Sequence, residues 1–150
     1  MIIEFDHTIE ENANQIWSIF QASYAIESKM LKAIYFPPLN RTVSQFLISK
    51  TKFYAFYQNK SICGIIEIDH TNIVTHIQSL VVYPRYFRRG ISKKLVSFIL
   101  STYNSKKFTV ETGLDNIPAI SLYKSLSFQE NNQWDTNHGV RKISFELIYD

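Results

Sequence analysis

Cysteine is almost absent from this chain: Cys63 is alone among 150 residues. A lone cysteine closes no intrachain disulfide, so nothing in the fold depends on an oxidising compartment. Its place in an apolar strand pattern reads as a small buried hydrophobe rather than a reactive thiol. Glycine and proline number only four each, against 45% apolar and 15% aromatic residues, a balance that excludes a disordered chain. Long apolar runs are missing too, none approaching the ~18 residues that cross a bilayer. Glu4 and Asp6 stand where a secretory leader would carry Lys or Arg, so a cytoplasmic protein without a membrane partner is expected. Excess charge is lacking: 16 basic against 13 acidic residues leave +3, too little to argue for nucleic acid. His7, His70 and His138 lack metal-ligand spacing with each other or with Cys63, so no metal site is expected.

The length supports one hydrophobic core, and with no linker, repeat or low-complexity tract a single domain over 1–150 is expected. Residues 1–9 read as a short strand. Glu10 and Glu11 then suit a helix N-terminus, and Ile16, Ile19, Phe20 and Tyr24 recur at helical spacing on one face. Phe36-Pro37-Pro38 ends helix formation, and Thr42 caps a short helix through about Ser49. Residues 52–58 and 61–69 read as two strands around a tight turn at Asn59-Lys60, the second carrying the buried run 62–66. A strand over 73–83, a helix over 92–104 and a strand over 107–112 follow. Pro118 fits the first position of a helix reaching about Ser127. Strands near 128–134 and 140–149 close the chain.

The unit 73–112 carries most information. A strand–helix–strand crossover of this length returns the chain parallel to its first strand and right-handed. Val82 and Thr112 then end side by side with a helix N-terminus above, the place where open α/β sheets bind ligands. The connecting turn is Pro84-Arg85-Tyr86-Phe87-Arg88-Arg89-Gly90-Ile91-Ser92. A helix N-terminus presents unpaired N–H groups and partial positive charge, which suit phosphate. Gly90 allows a left-handed backbone or a close ligand approach, and Arg88 and Arg89 add forked donors. No Walker loop or dinucleotide fingerprint is present. Without further context, a basic turn before a helix, as in the cluster Arg85, Arg88, Arg89, Lys93 and Lys94, is more often a solvated surface. As a basic, aromatic-laced patch over 83–94 it also reads as a nucleic-acid contact.

Two motifs in the right order narrow the choice. Leu80-Val81-Val82-Tyr83-Pro84 precedes Phe87-Arg88-Arg89-Gly90-Ile91-Ser92, with Leu95 beyond. Asn116-Ile117-Pro118-Ala119-Ile120-Ser121-Leu122-Tyr123-Lys124-Ser125-Leu126-Ser127-Phe128 follows. Over 70–130 the chain resembles the GNAT superfamily of acyl-CoA-dependent N-acetyltransferases. That family reads Gln/Arg-x-x-Gly-x-Gly/Ala after an apolar-x-Val-x-Pro strand end, then Asn-x-x-Ala-x-x-Leu-Tyr-x-x-x-Gly-Phe. Here Phe87 replaces Gln/Arg, Ser92 replaces Gly/Ala, and Ser127 replaces the last Gly. The resemblance implies an α/β fold: a mixed, mostly antiparallel sheet with a central splayed parallel pair, flanked by helices.

It also implies acetyl-CoA as cosubstrate and a primary amine of a small molecule or peptide as acceptor, attacking directly. The cofactor's pantetheine arm is expected along the strand backbone at Leu80, Val81 and Val82, and its pyrophosphate on 87–92. Asn116 is expected to hydrogen-bond it, with Tyr123 near its sulfur. Ser92 is open to capping the helix or donating its hydroxyl. Periodicity alone makes Tyr123 a core residue; the motif makes it the acid that protonates the leaving thiolate. Glu111 is expected as the general base, and reads equally as the partner of a nearby cation; His76 is the second candidate. Tyr24, Glu27, Phe36-Pro37-Pro38-Leu39 and Trp134 are expected to line the acceptor pocket. Within that group, Glu27 could attract a cationic amine, although a lone helix glutamate reads first as exposed to solvent. A catalytically silent acyl-CoA-binding domain is the alternative that Phe87 encourages, and a homodimer is left open.

Overall fold

The computed structural model describes residues 1–149. Seven strands form one mixed sheet in the order β1-β2-β3-β4-β5-β7-β6. They are β1 (Ile2–Phe5), β2 (Lys52–Gln58), β3 (Ser61–His70), β4 (Val74–Val82), β5 (Lys107–Gly113), β6 (Gln129–Asp135) and β7 (Arg141–Ile148). Only β4 and β5 pair in parallel; every other neighbour is antiparallel. Helices α1 (Glu10–Met30) and α2 (Val43–Leu47) precede β2, while α3 (Ile91–Thr102) and α4 (Ile117–Ser125) flank β5 in sequence. The fold class is the one expected, with its central parallel pair.

Side-chain alternation divides the sheet into two cores. On the α3–α4 face, Ile66, Ile68, Ile77 and Val82 pack with Leu95, Ile99, Phe108 and Phe145. On the α1–α2 face, Phe53, Ala55, Ile65 and Val81 pack with Ile16, Phe20 and Phe46. Cys63 is fully buried in the first. Each such large apolar side chain contributes about 1.5–3 kcal/mol.

Local chemistry sets the boundaries. Thr42 and Gln45 form a reciprocal capping box on α2. The β2–β3 hairpin turns at Asn59-Lys60, with Asn59 left-handed at φ 57°. Two helix ends differ from expectation. Helix α1 stops at Met30, before the prolines, because Lys32 turns left-handed and the Lys32 and Ala33 amides close back onto Lys29 and Ser28. Phe36-Pro37-Pro38 instead leads a 3₁₀ turn over Pro37–Asn40. Helix α4 begins one residue before Pro118, with Asn116 as its cap. Among the described residues no helix is long and apolar enough to cross a membrane.

Candidate active site

The parallel pair comes apart. Strands β4 and β5 pair only from Val74/Lys107 to Ile77/Val110. Beyond that point β4 follows β3 to Val82, while β5 follows β7 to Gly113. A bulge lies where they part: Glu67 and Ile68 of β3 face Ser79 and Ile77, leaving Gln78 extra. An extra residue bends its strand and increases its twist, which turns β4 away from β5.

The ladder to β3 decides which backbone groups face the gap. Tyr83 N–H donates to the Cys63 carbonyl at 2.8 Å. Antiparallel pairs alternate between bonded and unbonded, so Val81 bonds Ile65, whereas Leu80 and Val82 turn their N–H and C=O towards the opening. The inclusion of Val81 is therefore corrected: its backbone belongs to β3 and its side chain to the α1–α2 core.

Above the opening, the turn into α3 forms an anion cradle. Arg88 (φ 65°) and Gly90 (φ 74°) are both left-handed, and alternation of this kind makes successive amides converge. Among the described residues, the amides of Arg88 through Lys93 have no partner; the first bond of the helix is Lys94 N–H to Gly90 O, 3.1 Å. A Cβ on Gly90 would meet nothing within 4 Å, so the residue is required by its φ, and the space over it is open. The Arg85 and Arg89 guanidinium groups lie over the Tyr86 ring, leaving Arg88 free to swing. Phe87 is exposed on the rim. Ser92 does not cap α3, since Gly90 occupies that position.

One cleft of about 1300 Å³ joins these features to the α1 face of the sheet. Leu80, Val82, residues 86–93, Glu111, Asn116 and Tyr123 all line it. Tyr123 is held from behind. Phe128 N–H bonds the Tyr123 carbonyl and Ser127 N–H the Lys124 carbonyl, each at 3.0 Å. This is the loop that ends a helix through a left-handed residue, here Ser127 at φ 71°. The Phe128 ring packs edge-on against Tyr123. No buried polar side-chain atom lacks a partner among the described residues, and Tyr123 makes no side-chain hydrogen bond, so its hydroxyl opens to the cleft. Burial, then the nearby Glu27 charge, pushes its pKa well above the ordinary phenol value.

Glu27 faces it from α1, as the next step of the buried stripe Phe20, Tyr24, Glu27, Leu31. It is not an exposed helix glutamate: burial pushes its carboxyl up to about 7, against a smaller opposing effect of Lys142. Gly113 makes the approach of α1 feasible, because a Cβ there would fall 2.5 Å from the Leu31 side chain. Asn116 ties the parts together. Its Oδ1 accepts from Ala119 N–H, while its Nδ2 donates to Glu27 Oε1 at 3.1 Å and Thr112 Oγ1 at 3.4 Å. Its side chain thus positions α4 and Glu27, which leaves little of it for a cofactor.

The two base candidates read from the sequence are both partnered. Glu111 accepts from Lys142 Nζ at 2.5 Å, the cation pairing read as its alternative from sequence. His76 shares a hydrogen bond with Thr109, and burial holds its pKa below the usual value. Arg41, which sequence reasoning missed, grips the fully buried Glu67 through two bonds of 2.7 and 2.8 Å. Thr51 and Ser79 also donate to Glu67, fixing the β4 bulge. Its signal was an acid inside the apolar run of β3. Of the expected acceptor pocket, Tyr24, Glu27, Phe36, Pro37 and Pro38 line the cleft; Leu39 and Trp134 do not, whereas His138 and Val140, between β6 and β7, do.

The α/β sheet is thus split at its parallel pair, with an amide cradle at one end of the split and a tyrosine and a half-buried glutamate across it. The chain matches the model of the "Acetyltransferase (GNAT) family" over residues 13–128 and belongs to that family. It is 29% identical over 148 residues to the UPF0157 protein YqkA of Bacillus subtilis, covering 97% of this chain but only 43% of that protein. Its fold is similar to the ribosomal-protein-S18-alanine N-acetyltransferase of Escherichia coli (TM-score 0.79, 18% identity, 99% of this chain and 92% of that one). It is also similar to a Bacillus anthracis acetyltransferase solved in complex with acetyl coenzyme A (TM-score 0.59, 19% identity, 67% and 64%).

Proposed function

We propose that the chain transfers the acetyl group of acetyl-CoA to a primary amine by direct attack. The observation that carries this reading is the split itself. Unpaired strand backbone at Leu80 and Val82, the amides of 88–93 and the Tyr123 hydroxyl share one cleft, with Glu27 opposite. The free strand edge suits the amides of a pantetheine arm, which add to it as a strand would. The cradle, with Arg88 and Arg89 above it, suits the pyrophosphate. Family membership and the acetyl-CoA held by a structural neighbour support the donor.

An amine attacks only after losing a proton. Glu27, its carboxyl raised to about 7, is ionised enough to accept that proton and basic enough to matter near neutral pH. The nitrogen bonds the thioester carbon and the carbon–sulfur bond breaks. Glu27 takes the proton that the ammonium sheds before attack, Tyr123 donates its proton to the departing sulfur, and the second proton, shed by the acylated nitrogen, restores the phenol. The raised pKa of Tyr123 keeps it protonated throughout the neutral range. Glu111 holds Lys142, whose charge limits the rise of Glu27. We therefore assign the base to Glu27 rather than Glu111.

Calorimetry with acetyl-CoA, followed by thiol release over a pH series with an amine, tests this. Tyr123→Phe lowers kcat about 10²-fold while acetyl-CoA affinity stays within about twofold. Glu27→Gln removes the ascending limb of the pH–rate profile near 7. Loss of that limb in Glu111→Gln instead returns the role to Glu111. Acetyl-CoA binding without thiol release from any amine makes the chain a silent acyl-CoA-binding domain.

A further inference from the structure

The acceptor half of the cleft lies against α1 and α2, and its charges are unevenly partnered. Arg41 is bound to Glu67 and Lys142 to Glu111, so neither cation is free to hold an acceptor's anion. His76 is engaged with Thr109, and burial lowers its pKa; His138 packs against Tyr35 and Phe36. Of the acids here, the cleft-lining Glu111 carries its own cation, and Glu67 is fully buried behind Arg41 and does not line the cleft. Glu27 alone, among the described residues, lines the cleft as a carboxylate without a salt-bridge partner; its bond comes from the Asn116 amide. The half-site therefore has room for one positive charge.

The cleft also offers exposed apolar surface. Ile26, Met30 and Ile48 line it and remain 40%, 42% and 78% exposed, and Pro37 and Pro38 line it as well, beside the polar Ser23, Asn40, Gln45 and Ser49. Apolar side chains left in water along a cleft are ready to cover an apolar ligand.

We propose that the acceptor is a primary amine on an apolar body, its one charge meeting Glu27 and its apolar part lying along Ile26, Met30 and Ile48. A polycation would leave further charges beside isoleucine and methionine, and an anionic amine would find both nearby cations taken. The shared chemistry fits a free arylalkyl amine or the N-terminus of a peptide beginning with an apolar residue. The proposal rests on the transferase reading above.

Four probes separate these outcomes: phenethylamine, phenylalanyl-glycinamide, ethanolamine and spermidine, each assayed by thiol release with saturating acetyl-CoA. Covering the aryl group gives phenethylamine or the peptide a kcat/KM at least about tenfold above ethanolamine and spermidine; which of the two leads identifies the source. Equal rates with ethanolamine, or a preference for spermidine, overturn the proposal while leaving the transferase reading intact. No thiol release from any probe overturns both. Ile48→Glu, at an exposed position, adds a charge to the cleft lining: the spermidine-to-phenethylamine preference rises by up to about fivefold. An unchanged ratio shows that the acceptor does not pass Ile48 and overturns its placement.

Discussion

The two halves of the cleft are made of different material. On the α3 side the binding groups are main-chain: Leu80 and Val82 at an unpaired edge, and the amides of 88–93 in a left-handed turn. On the α1 side the cleft faces side chains from distant segments: Glu27 on α1, with Arg41 before α2 and Lys142 on β7 each held by its own acid. Backbone sites survive side-chain replacement, because most residues present the same amide. Side-chain sites do not. On the proposed reading, the amides of the turn stay in place with Phe87 and Ser92 where the family signature has other residues, while a half built from side chains has no spare parts.

The largest expected difference is at Arg41. Arg41→Ala leaves Glu67 fully buried without its cation, and breaking one partner of such a pair costs about 3–5 kcal/mol. Urea unfolding measures the loss, and adding Glu67→Gln to the variant recovers part of it by removing the stranded charge. The cradle should behave otherwise. Arg88→Gly keeps every amide and relieves a left-handed side chain, so acetyl-CoA affinity changes by only a few-fold. Gly90→Val forces a branched side chain into φ 74°, at roughly 1–2 kcal/mol, and affinity falls about tenfold. Calorimetry of the two variants decides whether the backbone or the guanidinium groups make the site.

The same contrast governs what could be read from the sequence. The cradle was legible because a turn, its glycine and the following helix are contiguous, whereas Tyr123 was singled out only by the family motif, its spacing alone reading as core. The alternating strand pattern also placed the parallel pair and its open end. The bulge at Gln78, which splits that pair, carries no residue signature, and Val81 was taken with its neighbours because ladder phase is invisible without β3. Glu27 was half legible: the period through Phe20 and Tyr24 reaches it directly, yet a glutamate on a helix reads as solvated. Glu67 and Arg41 lie 26 positions apart, and nothing local joins them.

Glu27 also gives the acceptor half a signature in stability. Its carboxyl is raised from 4.5 to about 7 by burial. The native state therefore binds this proton more tightly than the unfolded chain does. Its contribution is present in full below pH 4.5 and is lost as pH rises through about 7. Glu27→Gln flattens that part of the stability–pH curve, measured by urea midpoints across the range. Glu111→Gln, which removes a carboxylate already held by Lys142, should leave the slope in place. A wild-type curve without the decline would show that Glu27 is solvated and would weaken its assignment as base.

The smallest effect concerns the support behind Tyr123. Helices α1 and α4 end in the same hydrogen-bonded loop, with Lys32 (φ 54°) and Ser127 (φ 71°) at the left-handed position. A residue with a Cβ pays roughly 1–2 kcal/mol there, whereas glycine does not but loses more freedom on folding, by about 0.5–1 kcal/mol. The Ser127 side chain is exposed and makes no hydrogen bond, so its removal forfeits little. Ser127→Gly is therefore expected to stabilise the chain by about 0.5–1 kcal/mol, a rise in Tm of about 1–4 °C. Its backbone bond to Lys124 and that of Phe128 to Tyr123 remain, so Tyr123 keeps its place and kcat is unchanged. A loss of stability would show that the left-handed conformation is not populated at Ser127 in solution. A gain in kcat along with stability would show instead that Tyr123 is imperfectly held in the natural sequence, and that the serine is a source of motion at the catalytic hydroxyl.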